Sequence, residues 1–181
     1  MSGSRRIENI SLIGFMGTGK SSVARIVAAH LHFAFVDTDE LIEARAGRPI
    51  AEIFAQAGEP VFRHIEKQAV AELARLKRTV IATGGGLAAQ EGNLASLKEH
   101  SLVVCLWASP EMILDRVRHQ SHRPLLHDPD PMARIRVLLA AREPFYRQAD
   151  VLLNTEMRSA KEVAQHVIHQ YHTAVSGPKT K

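Results

Sequence analysis

The sequence has little that would suit a disulfide-bonded, membrane-spanning or thiol-dependent protein. Cys105 is its only cysteine, so a disulfide within the chain is excluded. It lies in the apolar run 102–107, which favours a buried side chain over a catalytic thiol. No apolar run approaches the roughly 18–20 residues of a membrane-spanning helix, and residues 1–6 contain no apolar export segment. We therefore expect a cytoplasmic protein with no membrane partner.

Neither sign of charge dominates the chain. Lysine and arginine number 23 against 19 aspartate and glutamate, a formal charge of +4, which suits binding of small anions better than coating of nucleic acid. We expect no nucleic-acid partner. From Arg116 to Arg147 there are seven arginines and no lysine. Arginine in preference to lysine indicates planar, bidentate recognition of phosphate or carboxylate.

The length of 181 residues predicts one compact domain, over about 1–175, with a disordered polar tail at 176–181. There is no internal repeat, low-complexity tract or interdomain linker. Three histidines spaced by three, His166, His169 and His172, favour an exposed helix face over a metal site, because no further ligand is visible.

Residues 14–21 read Gly-Phe-Met-Gly-Thr-Gly-Lys-Ser and match the P-loop pattern without departure. The apolar run 10–13 before them predicts a buried parallel strand, and residues 21–31 have helical spacing. In that context successive backbone N–H groups and a helix N-terminus face a phosphate, whereas a glycine-rich turn with an incidental lysine is the alternative. The predicted nucleotide-binding residues here are Gly17, Thr18, Gly19, Lys20, Ser21 and Ser22.

Strands and helices alternate along the rest of the chain, which predicts an α/β fold. Helix signals include Ser109 as N-cap followed by Pro110, and a break of the later helix 132–141 at residues 142–146. The predicted strands are 10–13, 33–36, 79–82, 102–108 and 151–154. The predicted helices are 21–31, 40–46, 49–57, 59–76, 92–100, 110–118, 132–141 and 159–173.

Asp37 and Asp39 follow the second predicted strand, and residues at the carboxyl ends of strands in open α/β sheets face the ligand. One carboxylate could orient Mg²⁺-bound water, and the other could accept a proton from a substrate hydroxyl. Asp39 could equally serve only as the N-cap of the helix that ends at Gly47.

Two further patterns have both a functional and a structural reading. Arg63 and Glu66 share a helix face, where the acid could orient the guanidinium or form an ordinary surface ion pair. Residues 84–86 are three glycines directly after a strand, which indicates close approach of a ligand or a tight turn.

The proline-rich segment 119–131 is typical of a mobile connection that closes over a site.

Taken together, these motifs resemble the shikimate kinase family over residues 10–171. The motifs that carry the resemblance are the P-loop, Asp37-Thr38-Asp39, Phe62-Arg63-His64-Ile65-Glu66, Gly84-Gly85-Gly86, Arg123-Pro124-Leu125-Leu126 and the segment from Arg142 to Tyr146.

The resemblance implies a P-loop kinase fold like that of nucleoside monophosphate kinases. Such a fold is a three-layer sandwich with a five-stranded parallel sheet, a substrate-binding region at about 37–66 and a lid at about 117–131. It implies transfer of the γ-phosphoryl of ATP to the 3-hydroxyl of shikimate, with Mg²⁺ as cofactor, in aromatic amino-acid biosynthesis. We expect a monomer.

The resemblance also implies roles for single residues. Asp39 would bind substrate hydroxyls and act as base. Lys20 and, from the lid, Arg123 would act on the phosphates, and Ser21 and Asp37 would hold Mg²⁺. The implied shikimate-binding residues are Asp39, Arg63, Glu66, Gly84, Gly85, Gly86 and Arg142. The implied positions near adenine are Arg116 and Arg158.

One feature departs from general P-loop proteins: the third strand ends in 81–84 without a Walker-B aspartate, and the resemblance assigns that duty to Asp37. The alternatives are a gluconate kinase, which would use the same scaffold for a related polyol acid, and a nucleotide-binding regulatory module without catalysis. A nucleoside monophosphate kinase suits the paired arginines around a glycine triplet less well. A substrate panel read out by ADP release would separate these functions.

Overall fold

The computed structural model describes residues 5–118 and 128–176, and the protein is built on one parallel sheet. The strands are β1 (Asn9–Ile13), β2 (Ala34–Asp37), β3 (Thr79–Ala82), β4 (Ser101–Trp107) and β5 (Val151–Asn154). They pair in parallel in the order β2-β3-β1-β4-β5, with Leu12 of β1 and Asp37 of β2 both opposite Ala82 of β3. The predicted five-stranded α/β fold is therefore confirmed, with strand ends differing by one residue.

Helices connect the strands and cover both faces of the sheet. They are α1 (Lys20–Leu31), α2 (Thr38–Ala46), α3 (Ile50–Leu73), α4 (Asn93–His100), α5 (Pro110–Val117), α6 (Pro131–Tyr146) and α7 (Ala160–Ser176), with a 3₁₀ turn at Leu87–Ala89. The predicted caps at Ser109 and Gly47 are confirmed. Ser176, predicted to start a disordered tail, is the last residue of α7, and 177–181 lie outside the described residues.

Alternation along β4 divides the core into two layers. Leu102, Val104 and Leu106 pack with α1 and α7 on one face, while Val103 and Cys105 pack with α4, α5 and α6 on the other. Strands covered on both faces are expected to be apolar along their length, as β4 is from Leu102 to Trp107. Burial raises the pKa of the Cys105 thiol to about 12, so the side chain is an inert core residue, as predicted.

A third, smaller core joins α2 to α3. Ile42 of α2 packs there with Ile53, Phe62 and Ala69 of α3. Gly58 interrupts α3 with φ 78° and ψ 172°, so its two halves are the two helices predicted from the sequence. Arg63 and Glu66 stand on the second half of α3, and the Arg63 guanidinium lies beside Gly86, after β3.

The predicted break at 142–146 is wrong, because α6 continues through Pro144 to Tyr146. Proline removes one helical hydrogen bond, yet the last turn keeps its form because Arg142 and Tyr146 both bond to the carbonyl of Gly85. These contacts are remote in sequence, so a local pattern could not reveal them.

Over 5–118 and 128–176, no helix is both long enough and apolar enough to cross a membrane.

Candidate active site

The predicted site residues that the structure describes gather at the carboxyl edge of the sheet. The P-loop follows β1, Asp37 ends β2, and the glycine triplet follows β3. A cleft of about 240 Å³ opens there. It is lined by Met16, Gly17, Gly19, Lys20, Ser21, Ser22, Asp37, Asp39, Thr83, Gly85 and Arg116.

The P-loop backbone requires glycine where it leaves β1. Gly14 has a φ of 133°, and a Cβ there would stand 2.1 Å from the carbonyl oxygen of Leu106. The loop is closed by the Thr18 hydroxyl, which donates to the carbonyl of Phe15 at 2.8 Å. Gly19 then precedes the first turn of α1, so backbone N–H groups and the helix N-terminus meet at the floor of the cleft.

Lys20 is held against the same loop. Its Nζ donates to the carbonyl oxygens of Gly14 and Phe15, each at 2.8 Å, and the side chain is buried. These bonds place a cation inside the ring of backbone amides, which is where phosphate oxygens bind in P-loops.

Asp37 connects the P-loop helix to the second aspartate. Its Oδ2 accepts from the Ser21 hydroxyl at 2.7 Å, and its Oδ1 accepts from the Asp39 backbone N–H at 3.0 Å. Asp37 is thus the N-cap of α2, so the alternative that Asp39 is the cap is wrong. The helix begins at Thr38, two residues earlier than predicted, which leaves the Asp39 carboxylate for the cleft.

Oxygen ligands suit Mg²⁺, which prefers octahedral sites at 2.0–2.1 Å, so neighbouring ligand atoms are about 3 Å apart. Ser21 Oγ and Asp37 Oδ2 already lie 2.7 Å apart, so this pair fits the edge of such a site. Within the described part of the chain, no group of three or more histidine, cysteine or acidic residues could hold a metal ion by itself. A metal here would take its other ligands from phosphate and water.

The glycine triplet packs directly against α2. The Gly84 N–H donates to the buried Thr38 hydroxyl at 2.8 Å, and a Cβ at Gly84 would lie 2.5 Å from Asp39 Oδ1. The resemblance implies that all three glycines bind the substrate, but the Gly84 N–H is already bonded within the protein. What Gly84 provides is the space in which the Asp39 carboxylate sits.

Two acidic side chains orient Arg63. Its Nη1 donates to Glu66 Oε2 at 3.0 Å, while Nε and Nη2 both donate to Glu59 Oε1 at 3.1 and 2.9 Å. Glu66 is almost fully buried, so burial raises the pKa of its carboxyl group, although the adjacent Arg63 acts in the opposite direction. The predicted Arg63–Glu66 pair is therefore half-buried rather than an ordinary surface pair.

Arg142 reaches the same place from α6. A Cβ at Gly86 would lie 3.3 Å from Arg63 Nη2 and 3.5 Å from Arg142 Nη2, so the two guanidinium groups converge on this glycine. Arg142 also lies over the ring of Phe15 and donates to the Gly85 carbonyl at 3.2 Å. Two arginines that converge on one small space have the geometry to bind a planar anion such as a carboxylate.

A second cleft of about 150 Å³ lies on the other side of the P-loop. Arg116 lines both clefts, and its guanidinium donates to Thr155 Oγ1 at 2.9 Å, to the Thr155 carbonyl at 2.8 Å and to the Gly17 carbonyl at 3.2 Å. Arg158 also lines it and donates to the carbonyl of Asn154 at 3.1 Å. Thr18 of the P-loop and Ser22 of α1 also line this second cleft.

The predicted lid falls largely outside the described residues. Residues 119–127, which include Arg123, are not among the described residues. The two ends of the predicted range are the end of α5 and the start of α6. The three histidines of α7 are exposed, as predicted.

Four contributors were missed by sequence reasoning: Thr38, Glu59, Tyr146 and Thr155. Thr38 and Tyr146 lie within motifs of the sequence, but their contacts with Gly84 and Gly85 span 46 and 61 residues. Glu59 carried a usable signal, because it precedes Arg63 by four residues and so shares its helix face. Thr155 carried no local signal, because its partner Arg116 is 39 residues away in sequence.

The P-loop before α1, the carboxylates at the end of β2 and the arginine pair over β3 define an α/β P-loop kinase. Comparison with known proteins gives the particular family. The family model described as shikimate kinase matches residues 16–172, and the chain belongs to the shikimate kinase family.

Curated relatives and solved structures agree with this family. The shikimate kinase of Caldanaerobacter subterraneus subsp. tengcongensis is 48% identical over 165 residues, covering 91% of this chain and 96% of the relative. That of Thermodesulfovibrio yellowstonii is 44% identical over 171 residues, covering 94% and 99%. The structure of the Acinetobacter baumannii shikimate kinase in complex with shikimate superposes with a TM-score of 0.88 at 36% identity, covering 97% of each chain.

The fold of a gluconate kinase, the alternative enzyme considered above, is also similar. A gluconokinase structure from Sinorhizobium meliloti superposes with a TM-score of 0.61 at 17% identity, covering 93% of this chain and 94% of that one. A likeness at that identity shows the shared fold alone. The family model, the curated relatives and the shikimate kinase structure together confirm the predicted family, fold and kinase activity.

Proposed function

We propose that this shikimate kinase binds its two substrates across the cleft, with ATP on the P-loop and shikimate between Asp39 and the arginine pair. The observation that carries the proposal is the convergence of Arg63 and Arg142 on Gly86. Gly84, in the same turn, lies against the carboxylate of Asp39. A carboxylate held by the arginines leaves the hydroxyls of a small ring to face Asp39 and the P-loop.

The acceptor site is organised by charge. Shikimate is an anion, and Arg63 and Arg142 bind its carboxylate, while Glu59 and Glu66 hold Arg63 in a fixed orientation. The partly exposed backbone of Gly85 and Gly86 lies beneath the ring. Fixing the acceptor in this way makes the phosphoryl transfer effectively unimolecular.

Asp39 is the base in this proposal. Its carboxylate accepts the proton of the attacking hydroxyl as the new O–P bond forms and the bond from the γ-phosphorus to the bridging oxygen of ADP breaks. The Asp37 cap fixes the backbone of Asp39, and Gly84 leaves its side chain room.

The P-loop amides, the N-terminus of α1 and Lys20 stabilise the phosphates. Lys20 exchanges its bonds to the loop carbonyls for phosphate oxygens when the nucleotide binds. Arg116 and Arg158 border the second cleft and contact the base of the nucleotide. Arg123, within a lid at about 117–131, neutralises charge on the transferred group.

Ser21 and Asp37 hold Mg²⁺, because their oxygens fit one edge of its coordination shell. When bound, the ion neutralises charge on the β- and γ-phosphates. The region 37–66, built on the small α2–α3 core, is the acceptor-binding part of a single domain. Since one chain supplies every group assigned here, the working unit is a monomer.

The test is the Asp39→Asn variant in a coupled assay of ADP release with ATP and Mg²⁺. Losing the base should lower kcat with shikimate by about 10²–10⁴-fold, while the affinity for ATP stays near the wild-type value. Asp115→Asn, at an exposed carboxylate on α5, is the matched control and should leave kcat unchanged. Wild-type kcat in Asp39→Asn would rule out the base role, and release of ADP with gluconate alone would overturn the acceptor assignment.

A further inference from the structure

The hydroxyl of Tyr146 makes a contact that the roles above do not use. It donates to the carbonyl oxygen of Gly85 at 2.6 Å, across 61 residues of sequence. Tyr146 is buried, and burial raises its pKa to about 12, so the hydroxyl keeps its proton at any pH used for assay.

The geometry of a peptide unit gives that bond a consequence. The carbonyl of Gly85 and the N–H of Gly86 belong to one planar trans peptide, in which the C=O and N–H bonds point in opposite directions. A donor that holds the carbonyl on the α6 side therefore aims the Gly86 N–H away from α6. Gly86 is the residue on which the two guanidinium groups converge.

The turn is anchored at both ends. The Thr38 hydroxyl holds the Gly84 N–H at 2.8 Å, and Tyr146 holds the Gly85 carbonyl. Glycines lack the side chains that would otherwise restrict their dihedral angles, so hydrogen bonds must define this backbone. The Leu87 N–H closes the turn on the Gly84 carbonyl at 3.1 Å, but without the Tyr146 anchor the central peptide joining Gly85 to Gly86 could still flip within the closed turn.

Arg142 shares the same carbonyl oxygen through a longer bond of 3.2 Å. Because Tyr146 provides the shorter bond, the carbonyl does not depend on Arg142, whose remaining N–H groups can serve an incoming carboxylate. If the tyrosine hydroxyl were lost, the carbonyl would compete with the substrate for Arg142.

We propose that Tyr146 is a positioning residue of the acceptor site: its hydroxyl fixes the Gly85–Gly86 peptide and so keeps the Gly86 N–H and Arg142 available to the carboxylate of shikimate. The inference rests on the proposed function of this cleft. It assigns Tyr146 no contact with substrate, and its effect should be confined to the acceptor.

The experiment is steady-state kinetics of Tyr146→Phe, varying shikimate at saturating ATP and then ATP at saturating shikimate. Loss of one hydrogen bond from the acceptor site should raise the KM for shikimate about three- to tenfold, with the KM for ATP within about twofold of wild type. Tyr171→Phe is the matched control, because the only other tyrosine lies on α7 against Phe33 and should change neither constant.

An unchanged KM for shikimate in Tyr146→Phe, or an equal rise in both KM values, would overturn the positioning role. A wild-type protein that releases no ADP with shikimate would instead overturn the proposed function. If Tyr146→Phe does not fold, wild-type protein labelled with ¹⁵N-glycine provides a second test. The amide resonance of Gly86 should shift on saturation with shikimate and that of Gly47 should not, and a static Gly86 resonance would refute the inference.

Discussion

At the scale of single residues, Glu66 places a carboxyl group in a buried part of the proposed acceptor site. The carboxyl group is nearly inaccessible to water, and burial raises its pKa above the ordinary value of 4.5 despite the opposing effect of Arg63. A buried, charged carboxylate is retained here because it orients Arg63, although the charge itself disfavours folding.

The pH dependence of stability follows from that direction. A group whose pKa is raised in the folded state contributes stability below its unfolded pKa of about 4.5 and loses it as the pH rises through the folded pKa. Glutamine does not titrate. We therefore expect the melting temperature of Glu66→Gln, relative to wild type, to increase from pH 4.5 to pH 8, as measured by thermal unfolding across that range.

Glu111→Gln is the control of opposite sign. The bond from Arg136 lowers the pKa of this fully exposed carboxyl group, so its contribution is present above the unfolded pKa and is screened by solvent. Its melting temperature relative to wild type should be flat or fall slightly with rising pH. A flat difference for Glu66→Gln as well would show that burial of Glu66 carries no net cost.

At the scale of elements, the turn after β3 and the helix α2 fit together without room for one extra carbon. A Cβ at Gly84 would stand 2.5 Å from Asp39 Oδ1. The carboxylate is the end of a side chain and can rotate away, so the fold would survive the substitution while the proposed base would lose its position.

We therefore expect Gly84→Ala to lower kcat by about 10²-fold or more, as small displacements of a catalytic group do, with little change in melting temperature. Gly47→Ala is the converse control. At that helix end the space around a Cβ is open, but φ is 65°, which costs a non-glycine residue about 1 kcal/mol or more. Its melting temperature should fall by about 2–4 °C with kcat unchanged. Wild-type kcat in Gly84→Ala would contradict the tight fit to Asp39.

The elements themselves were predictable wherever their signals are local. The strand ends, the Ser109 and Gly47 caps and the kink at Gly58 all follow from neighbouring residues. The prediction failed at Pro144, because α6 is completed by bonds from its side chains to the turn after β3.

At the scale of the whole molecule, the proposed acceptor site joins residues whose helices pack in different cores. Arg63 stands on the helix of the small α2–α3 core, while Arg142 stands on a helix of the main core. A ligand that binds both arginines links the two cores in the native state alone and should stabilise it by mass action.

Shikimate at 100 times its Kd should add about 2.7 kcal/mol to the free energy of unfolding, a rise in melting temperature of about 5–10 °C for a chain of this size. Gluconate should produce no comparable shift, and Arg63→Ala should lose most of the shikimate effect. The measurement is thermal unfolding without nucleotide. An equal shift in Arg63→Ala would remove this arginine from the acceptor site.

The order of the elements, the P-loop and the family can be read from the chain alone, because each depends on residues adjacent in the chain or on motifs in a given order. Side-chain geometry in the folded chain is what selects Asp37 rather than Asp39 as the cap of α2, since both aspartates are acceptable caps on sequence grounds. Thr38 and Tyr146 support the turn after β3 through contacts that span 46 and 61 residues, which no local pattern encodes.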